Sequence, residues 1–362
     1  MTLHGEVEWE RGYYHCGRCG KGQCPADQDV GLDGRRLSAS VRQIAALAGI
    51  HSPSFAKASE MPKVMSGVTL GESTVERTTE ETGRKLDAAC KSGWTPTIPA
   101  AWKWPLDALG RQMACVQIDA TGVGIQGKNG AEAPGRMAWV GAVSNAAVQA
   151  GGKPGVGAVP VRTRYVAGLC PLAEMGPLLR AQAASVGMEH VDGWIALRDG
   201  GQGLEEFLRV NFPRVEAIII DFWHVGEYLA KLAEAACPSD EAGREALRRE
   251  WGRLLREEGG WTTLSVLREY EPPSRTKQWK STWATVETYL ENHAHRMEYP
   301  EYLANGWTIG SGVIEGACKN VIGGRMKGPH RWSVKAAHEI AVLRSLFCSD
   351  QGAWDSFWKR KQ

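Results

Sequence analysis

The sequence predicts an α/β protein, a mixed sheet interrupted by a helical insertion and preceded by a helical region. Three observations carry this. The apolar period changes from helical to strand-like near residue 113, and strand-like and helical segments then alternate to residue 224. About 80 residues of helical pattern follow, up to a Gly-Ser-Gly turn at 310–312.

Taken in order, residues 1–36 hold Cys16, Cys19 and Cys24 in a Gly-rich knuckle, half of a zinc ribbon. Structural zinc takes four ligands, and only His4 or His15 lies near enough to complete the set, so Cys16 and Cys19 are candidate but incomplete Zn²⁺ ligands. Residues 37–92 read as helices. Ser38 or Ser40 caps the first, with Val41, Ile44, Leu47 and Ala48 on one face, the second covers 54–64, and the third opens at Glu72. Helix, Gly-bearing turn, helix is the pattern of a DNA-binding helix-turn-helix, and equally of any small bundle. Residues 93–112, with Pro96, Pro99 and Pro105, read as a linker.

Residues 113–224 supply the sheet: three strands (114–119, 137–143, 159–167), a helix from Pro171, a strand at 193–199, a helix from Gly203 and a strand at 215–221. Three strands followed by helix, strand, helix, strand is the order of a ribonuclease-H-like sheet. Residues 225–308 are the helical insertion, with Ser239 as a cap and Trp251, Leu254, Leu255, Trp279, Trp283, Val286 and Leu290 as its apolar faces. Residues 309–362 carry Glu315 and a basic segment: nine Lys or Arg against four Asp or Glu from Glu315 onward, leaving 34 against 37 elsewhere. A locally basic stretch on a near-neutral chain suits a polyanion contact, the alternative being a solvated helix.

Composition bounds the function. No apolar run approaches the roughly 20 residues of a membrane span. The first ten residues are polar and acidic, unlike a signal peptide, so a cytoplasmic, nucleoid-associated location is expected. Nine scattered cysteines do not form a disulfide framework.

Asp119, Asp199 and Asp221 each follow an apolar strand, which places them at the carboxyl edge of an α/β sheet, where ligands bind. Glu315 opens a helix after Gly310-Ser-Gly. Converging carboxylates are hard oxygen ligands suited to Mg²⁺ or Mn²⁺, which can clamp both oxygens of a phosphodiester displacement. Gly200 and Gly201 leave room beside Asp199, whereas Phe222 and Trp223 crowd Asp221, so Asp199 is the expected ligand and Asp221 with His224 the support. Arg325, Lys327, Arg331 and Lys335 are expected DNA contacts beside the scissile strand, with Trp332 packed against the catalytic helix at that interface. A surface tryptophan among the five in or beside the insertion is a candidate to stack on an unpaired base.

Ile-Asp119-Ala-Thr-Gly, Arg-Asp199-Gly-Gly, Asp221-Phe-Trp-His224, Gly310-Ser-Gly-Val-Ile-Glu315 and Gly323-Gly-Arg-Met-Lys-Gly-Pro-His-Arg-Trp-Ser333 together resemble the ISKra-type insertion-sequence transposases, relatives of the Mutator-like group. The resemblance runs from Tyr13 onward. It implies a catalytic triad of Asp119, Asp199 and Glu315, an Asp-x-x-His motif at Asp221 and His224, and Mg²⁺-dependent cleavage and strand transfer at transposon ends. The implied partners are transposon-end and target DNA and further copies of the chain. The chain differs in Ala120, where Gly is common, and in lacking an upstream Cys-x-x-Cys pair. The alternatives are a truncated, cleavage-deficient DNA-binding regulator and a nuclease that hydrolyses without joining.

Overall fold

The computed structural model describes residues 1–360 other than 9, 30–31, 33–36, 98–99, 149–158, 202, 329 and 351. Near the N-terminus, Tyr14–His15 pairs with Gly22–Gln23 around a turn closed by Cys16 N–H to Lys21 O (2.8 Å) and Gly20 N–H to Cys16 O (2.9 Å). After a single helical turn at Pro25–Asp29 come α1 (Ala39–His51), α2 (Phe55–Ser66) and α3 (Glu72–Lys91). Ser38 caps α1 and Ser54 caps α2, each side chain accepting a first-turn N–H, and Gly67 ends α2 in the left-handed conformation (φ 71°). The single apolar face expected of α1 is too narrow. Val41, Ala45, Ala46, Ala48 and Ile50 are all buried, while Ile44 and Leu47 are only partly so. The reason is that α1 is enclosed both by α3 and by a helix from the far end of the chain.

The expected linker is tied down along its length. The Trp102 indole donates to Asp350 (3.1 Å), Thr97 N–H to the Ser356 hydroxyl (2.9 Å) and Ala108 N–H to Asn305 O (3.0 Å).

The sheet comprises β1 (Met113–Gln126), β2 (Glu132–Ser144), β3 (Thr163–Gly168), β4 (Gly193–Arg198) and β5 (Val215–Ile220), with α4 (Leu172–Ser185) before β4 and α5 (Leu204–Asn211) before β5. Its order is β3-β2-β1-β4-β5. β2 is antiparallel to both β1 and β3, and β4 and β5 run parallel to β1. The chain is therefore mixed α/β, with the long β1 at its centre. One expectation needs correction here: Asp119 does not end β1. Parallel pairing with β4 stops at Gln117↔Leu197, but antiparallel pairing with β2 carries β1 on to Gln126. Asp119 thus lies in mid-strand, at the point where one neighbour ends.

Alternation along β1 divides the core. Ala114, Val116 and Ile118 face α4 and α5, while Met113 and Cys115 face the insertion. The insertion is α6 (Phe222–Ala236), α7 (Glu241–Glu269), α8 (Lys277–His293) and α9 (Tyr299–Ala304). Asp240, not Ser239, caps α7, accepting from Gly243 N–H at 3.0 Å. Within α7, Gly259 breaks the helical backbone (φ 82°), and a Cβ on Gly260 would fall 2.8 Å from Met297 Cβ.

Then come α10 (Gly312–Ala317), a wide π-turn (Cys318–Gly323) continuing to Met326, α11 (Val334–Cys348) and α12 (Ala353–Trp358). The solvated-helix alternative for the basic segment fails, because α11 is a core helix between α3 and β3. A Cβ on Gly83 of α3 would lie 2.3 Å from Glu339 O of α11, so only glycine permits this approach. Among the described residues, no helix is long and apolar enough to cross a membrane.

Candidate active site

The register of the parallel strands sets the three aspartates in one row. Gln117 pairs with Leu197 and Arg198 with Ile220, so two residues on from Gln117, and one on from Arg198, stand Asp119, Asp199 and Asp221 on successive strands. Neighbouring strands are about 4.8 Å apart, so Asp199 is nearer to Asp119 than Asp221 is.

Asp119 accepts from its neighbour's amide, Ala120 N–H (2.6 Å), and from the Cys318 thiol (3.4 Å). Burial, reinforced by the charge of Asp199, pushes its carboxyl above the usual range, against the pull of the Ala120 N–H, the Cys318 thiol and the His224 side chain. Burial likewise raises the Cys318 thiol, with the Asp119 carboxylate adding to it.

Asp199 accepts from Gly201 N–H (2.9 Å), and the buried Arg198 donates Nε–H to the Asp199 carbonyl (2.7 Å). The room expected beside Asp199 is already filled on one side. A Cβ on Gly200 would lie 2.4 Å from Tyr289 Cε2 and 3.1 Å from His293 Nε2, both on α8. Gly200 is small to seat the insertion, not to leave a void. Burial and the nearby Tyr228 and Asp199 raise the Tyr289 phenol, whose hydroxyl is buried without a hydrogen-bond partner. Burial, with Arg296 and Arg198 adding, lowers His293 to about 4.

Asp221 is buried with both oxygens engaged. One accepts from His224 N–H (2.7 Å), capping α6, and the other accepts from Ser311 N–H at the start of α10. Phe222 N–H to Ile309 O (2.9 Å) and Tyr299 hydroxyl to Ile220 O (3.0 Å) reinforce this clasp. The insertion therefore leaves and rejoins the core at one point. The His224 ring packs edge-on to Tyr228 and Tyr289, with centroids at 5.4 and 6.0 Å.

Glu315 is carried to the same face. Gln117, two residues before Asp119 and on its side of β1, accepts from Ile314 N–H (2.8 Å), while Cys318 reaches Asp119. These contacts bracket Glu315 on α10. Its own side chain is exposed and paired with Lys319 (2.5 Å). Among the described residues, no three His, Cys, Asp or Glu side chains are gathered closely enough to hold a metal ion, in this region or around Cys16 and Cys19.

The expected DNA contacts separate into two groups. Lys327, Arg331 and Lys335 are exposed. Arg325 is not a phosphate contact: it is buried, donates to Gly49 O (3.0 Å) and Pro53 O (3.1 Å), and lies against the rings of Phe55 and Trp332, 4.9 and 4.6 Å from their centroids. Together with Arg344, which donates to Ile50 O, it satisfies the last carbonyls of α1, where a cation opposes the helix dipole. Trp332, expected at the DNA interface as a packing residue, is buried and so packs without offering its ring to DNA. Its backbone extends the β1 edge through Trp332 N–H to Gly124 O (3.0 Å) and Gln126 N–H to Trp332 O (2.8 Å). Of the five tryptophans in or beside the insertion, Trp251, Trp279 and Trp307 are buried, Trp283 is partly buried and Trp261 is half-exposed.

Sequence reasoning missed Gln117, Cys318 and Tyr289. A lone amide in an apolar strand was a readable signal for Gln117. Cys318 stands one helical turn after Glu315, and nothing local marks it. Tyr289 is one of many aromatics at helical spacing, and only the fold shows that it meets Gly200.

Compared with family models and with curated proteins, the chain matches none.

Proposed function

We propose that this chain is a ribonuclease-H-like enzyme that cuts and joins DNA strands through Asp119, Asp199 and Glu315, as an ISKra-type transposase does. The observation that carries this reading is the carboxylate row, with Asp119 and Asp199 at equivalent register positions and the Glu315 helix fastened to the same strand by Gln117 and Cys318. The strand order and the long central β1 agree with that fold, and the helices at 39–91 with a DNA-binding role ahead of it.

The donor set is hard oxygen, and Asp119, its carboxyl raised chiefly by burial and further by Asp199, is a buried carboxylate whose charge a divalent cation would offset. Drawn closer together than they stand here, with Glu315 released from Lys319, Asp119, Asp199 and Glu315 would hold Mg²⁺ or Mn²⁺, which when bound supplies Lewis-acid stabilisation of the phosphodiester displacement. Asp221 positions rather than ligates, since both of its oxygens are already engaged.

A second reading, a DNA-binding protein that no longer cuts, is favoured by one observation, the ion pair of Glu315 with Lys319. One experiment separates the two. Purified chain is incubated with Mg²⁺ and DNA carrying the ends of its element. Strand cleavage that Asp119→Asn, Asp199→Asn and Glu315→Gln each abolish, with DNA binding retained, supports the enzyme. Binding without cleavage by the unmodified chain supports the second reading, and cleavage surviving any of the three substitutions removes that residue from the triad.

A further inference from the structure

Trp223 is 69% exposed, unusual for the largest apolar side chain. The ring is nonetheless held. Phe222 meets it edge-to-face at 5.4 Å, and a Cβ on Gly310 would lie 3.1 Å from its Nε1 and 3.2 Å from its Cδ1. It therefore rests on the turn that Asp221 fastens, one helical turn ahead of Glu315, while the next residue, His224, bears on Asp119. Trp223 stands on the lip between the aspartate row and the Glu315 helix.

The two helices that start at this clasp carry glycines with no internal reason to be glycine. A Cβ on Gly226 of α6, or on Gly312 or Gly316 of α10, would meet nothing within 4 Å, and none of the three has a positive φ. Glycine inside a helix costs up to about 1 kcal/mol relative to alanine, so bare glycines beside a site suit the close approach of a ligand. The ring borders Gly226 and the exposed Glu227 on its own helix rather than an apolar patch, too little apolar area for a protein partner but enough for one flat ring.

We infer that Trp223 is a stacking platform for an unpaired nucleobase of the strand entering the carboxylate site. The inference rests on the DNA-processing reading and adds to it: the substrate is held as a partly unpaired end, gripped by a ring that is indifferent to base identity. Base–aromatic stacking is sequence-tolerant because every base presents a π-face.

The test uses a duplex with a short single-stranded 3′ overhang containing 2-aminopurine, and the same duplex blunt-ended. The unmodified chain should quench the 2-aminopurine and bind the overhang about ten-fold more tightly than the blunt duplex. Trp223→Ala should lose the quenching and the preference, Trp223→Phe should keep most of both, and neither should change the melting temperature of so exposed a site. Gly316→Ala should melt no lower than the unmodified chain yet bind the overhang more weakly. If Trp223→Ala quenches and prefers the overhang like the unmodified chain, stacking is overturned while the DNA reading stands. If the unmodified chain binds neither DNA, both fall together.

Discussion

Replacing Arg325 with alanine should unfold the chain more readily rather than weaken its grip on DNA. The guanidinium makes two charge-assisted hydrogen bonds, to Gly49 O in the last turn of α1 and to Pro53 O just beyond it, and such bonds contribute about 1.5–3 kcal/mol each. Its contact with the Phe55 and Trp332 rings, which meet each other edge to face, adds about 1 kcal/mol. Against this stands the cost of burying the charge, visible in the fall of the Arg325 pKa to about 10 through burial and the nearby Arg344. A net loss of about 4 kcal/mol is expected, since truncation also strands the Gly49 and Pro53 carbonyls. At about 2–4 °C per kcal/mol for a domain of this size, the melting temperature should fall by roughly 10 °C. Arg325→Lys should recover less than half of that, because an ammonium cannot stack as a plane or bond both carbonyls in the same geometry. Calorimetry of the three proteins, with DNA binding titrated against salt, is the assay. A melting temperature within about 3 °C of the unmodified chain, together with a shallower salt dependence, would refute the capping role and return Arg325 to the DNA surface.

Four further outcomes are expected. Alanine at Lys327, Arg331 or Lys335 should lower the salt slope of DNA binding by about one each and leave the melting temperature nearly unchanged; an unaltered slope in the triple variant would remove this segment from the interface. Asp119→Asn should melt higher than the unmodified chain at neutral pH in EDTA. A carboxyl raised above its usual 3.8 costs stability that sets in as pH rises from there through the raised value and is absent below 3.8, so the gain should vanish in acid. A lower melting temperature for this variant at neutral pH would contradict the sign. Asp221→Asn keeps one acceptor oxygen for two N–H donors, so it should cost about 1–2 kcal/mol and slow cleavage without abolishing it. A well-folded but inactive variant would instead make Asp221 a ligand. Gly200→Ala drives a methyl into Tyr289 and should cost about 1–3 kcal/mol. Combining it with Tyr289→Ala should cost less than the two changes summed, and strict additivity in a double-mutant cycle would show that the two residues do not meet.

The sheet was legible because its strands are short apolar runs between turn residues, and their order restricts how they can pair. The extent of β1 was not, since Ala120, Gly122 and Gly124 beyond Asp119 look like a loop and become strand only through the β2 partner. The aspartates were legible for the same reason as the strands, each standing at the end of an apolar run. Arg325 was misread because a cation among Lys327, Arg331 and Lys335 carries no local mark of burial. Its partners, Gly49, Pro53 and Phe55, lie some 270 residues earlier in the chain. Gly200 was read correctly as a residue that must be small and wrongly as open space, because the ring that fills it arrives from the insertion.

The contacts that fasten α10 to β1 span 197 and 199 residues, and the helix that encloses α1 ends at Cys348. At a synthesis rate of about 5–20 residues per second, Glu315 follows Asp119 by roughly 10–40 s. Within that interval the emerging chain gains Asp199 and lacks Glu315 until the end, while the end of α1 lacks the arginines that satisfy its carbonyls. Neither the carboxylate site nor the end of α1 can be finished as it is made: the first waits for a segment 197 residues on, the second for one 276 residues on, so both close late and within a few seconds of each other.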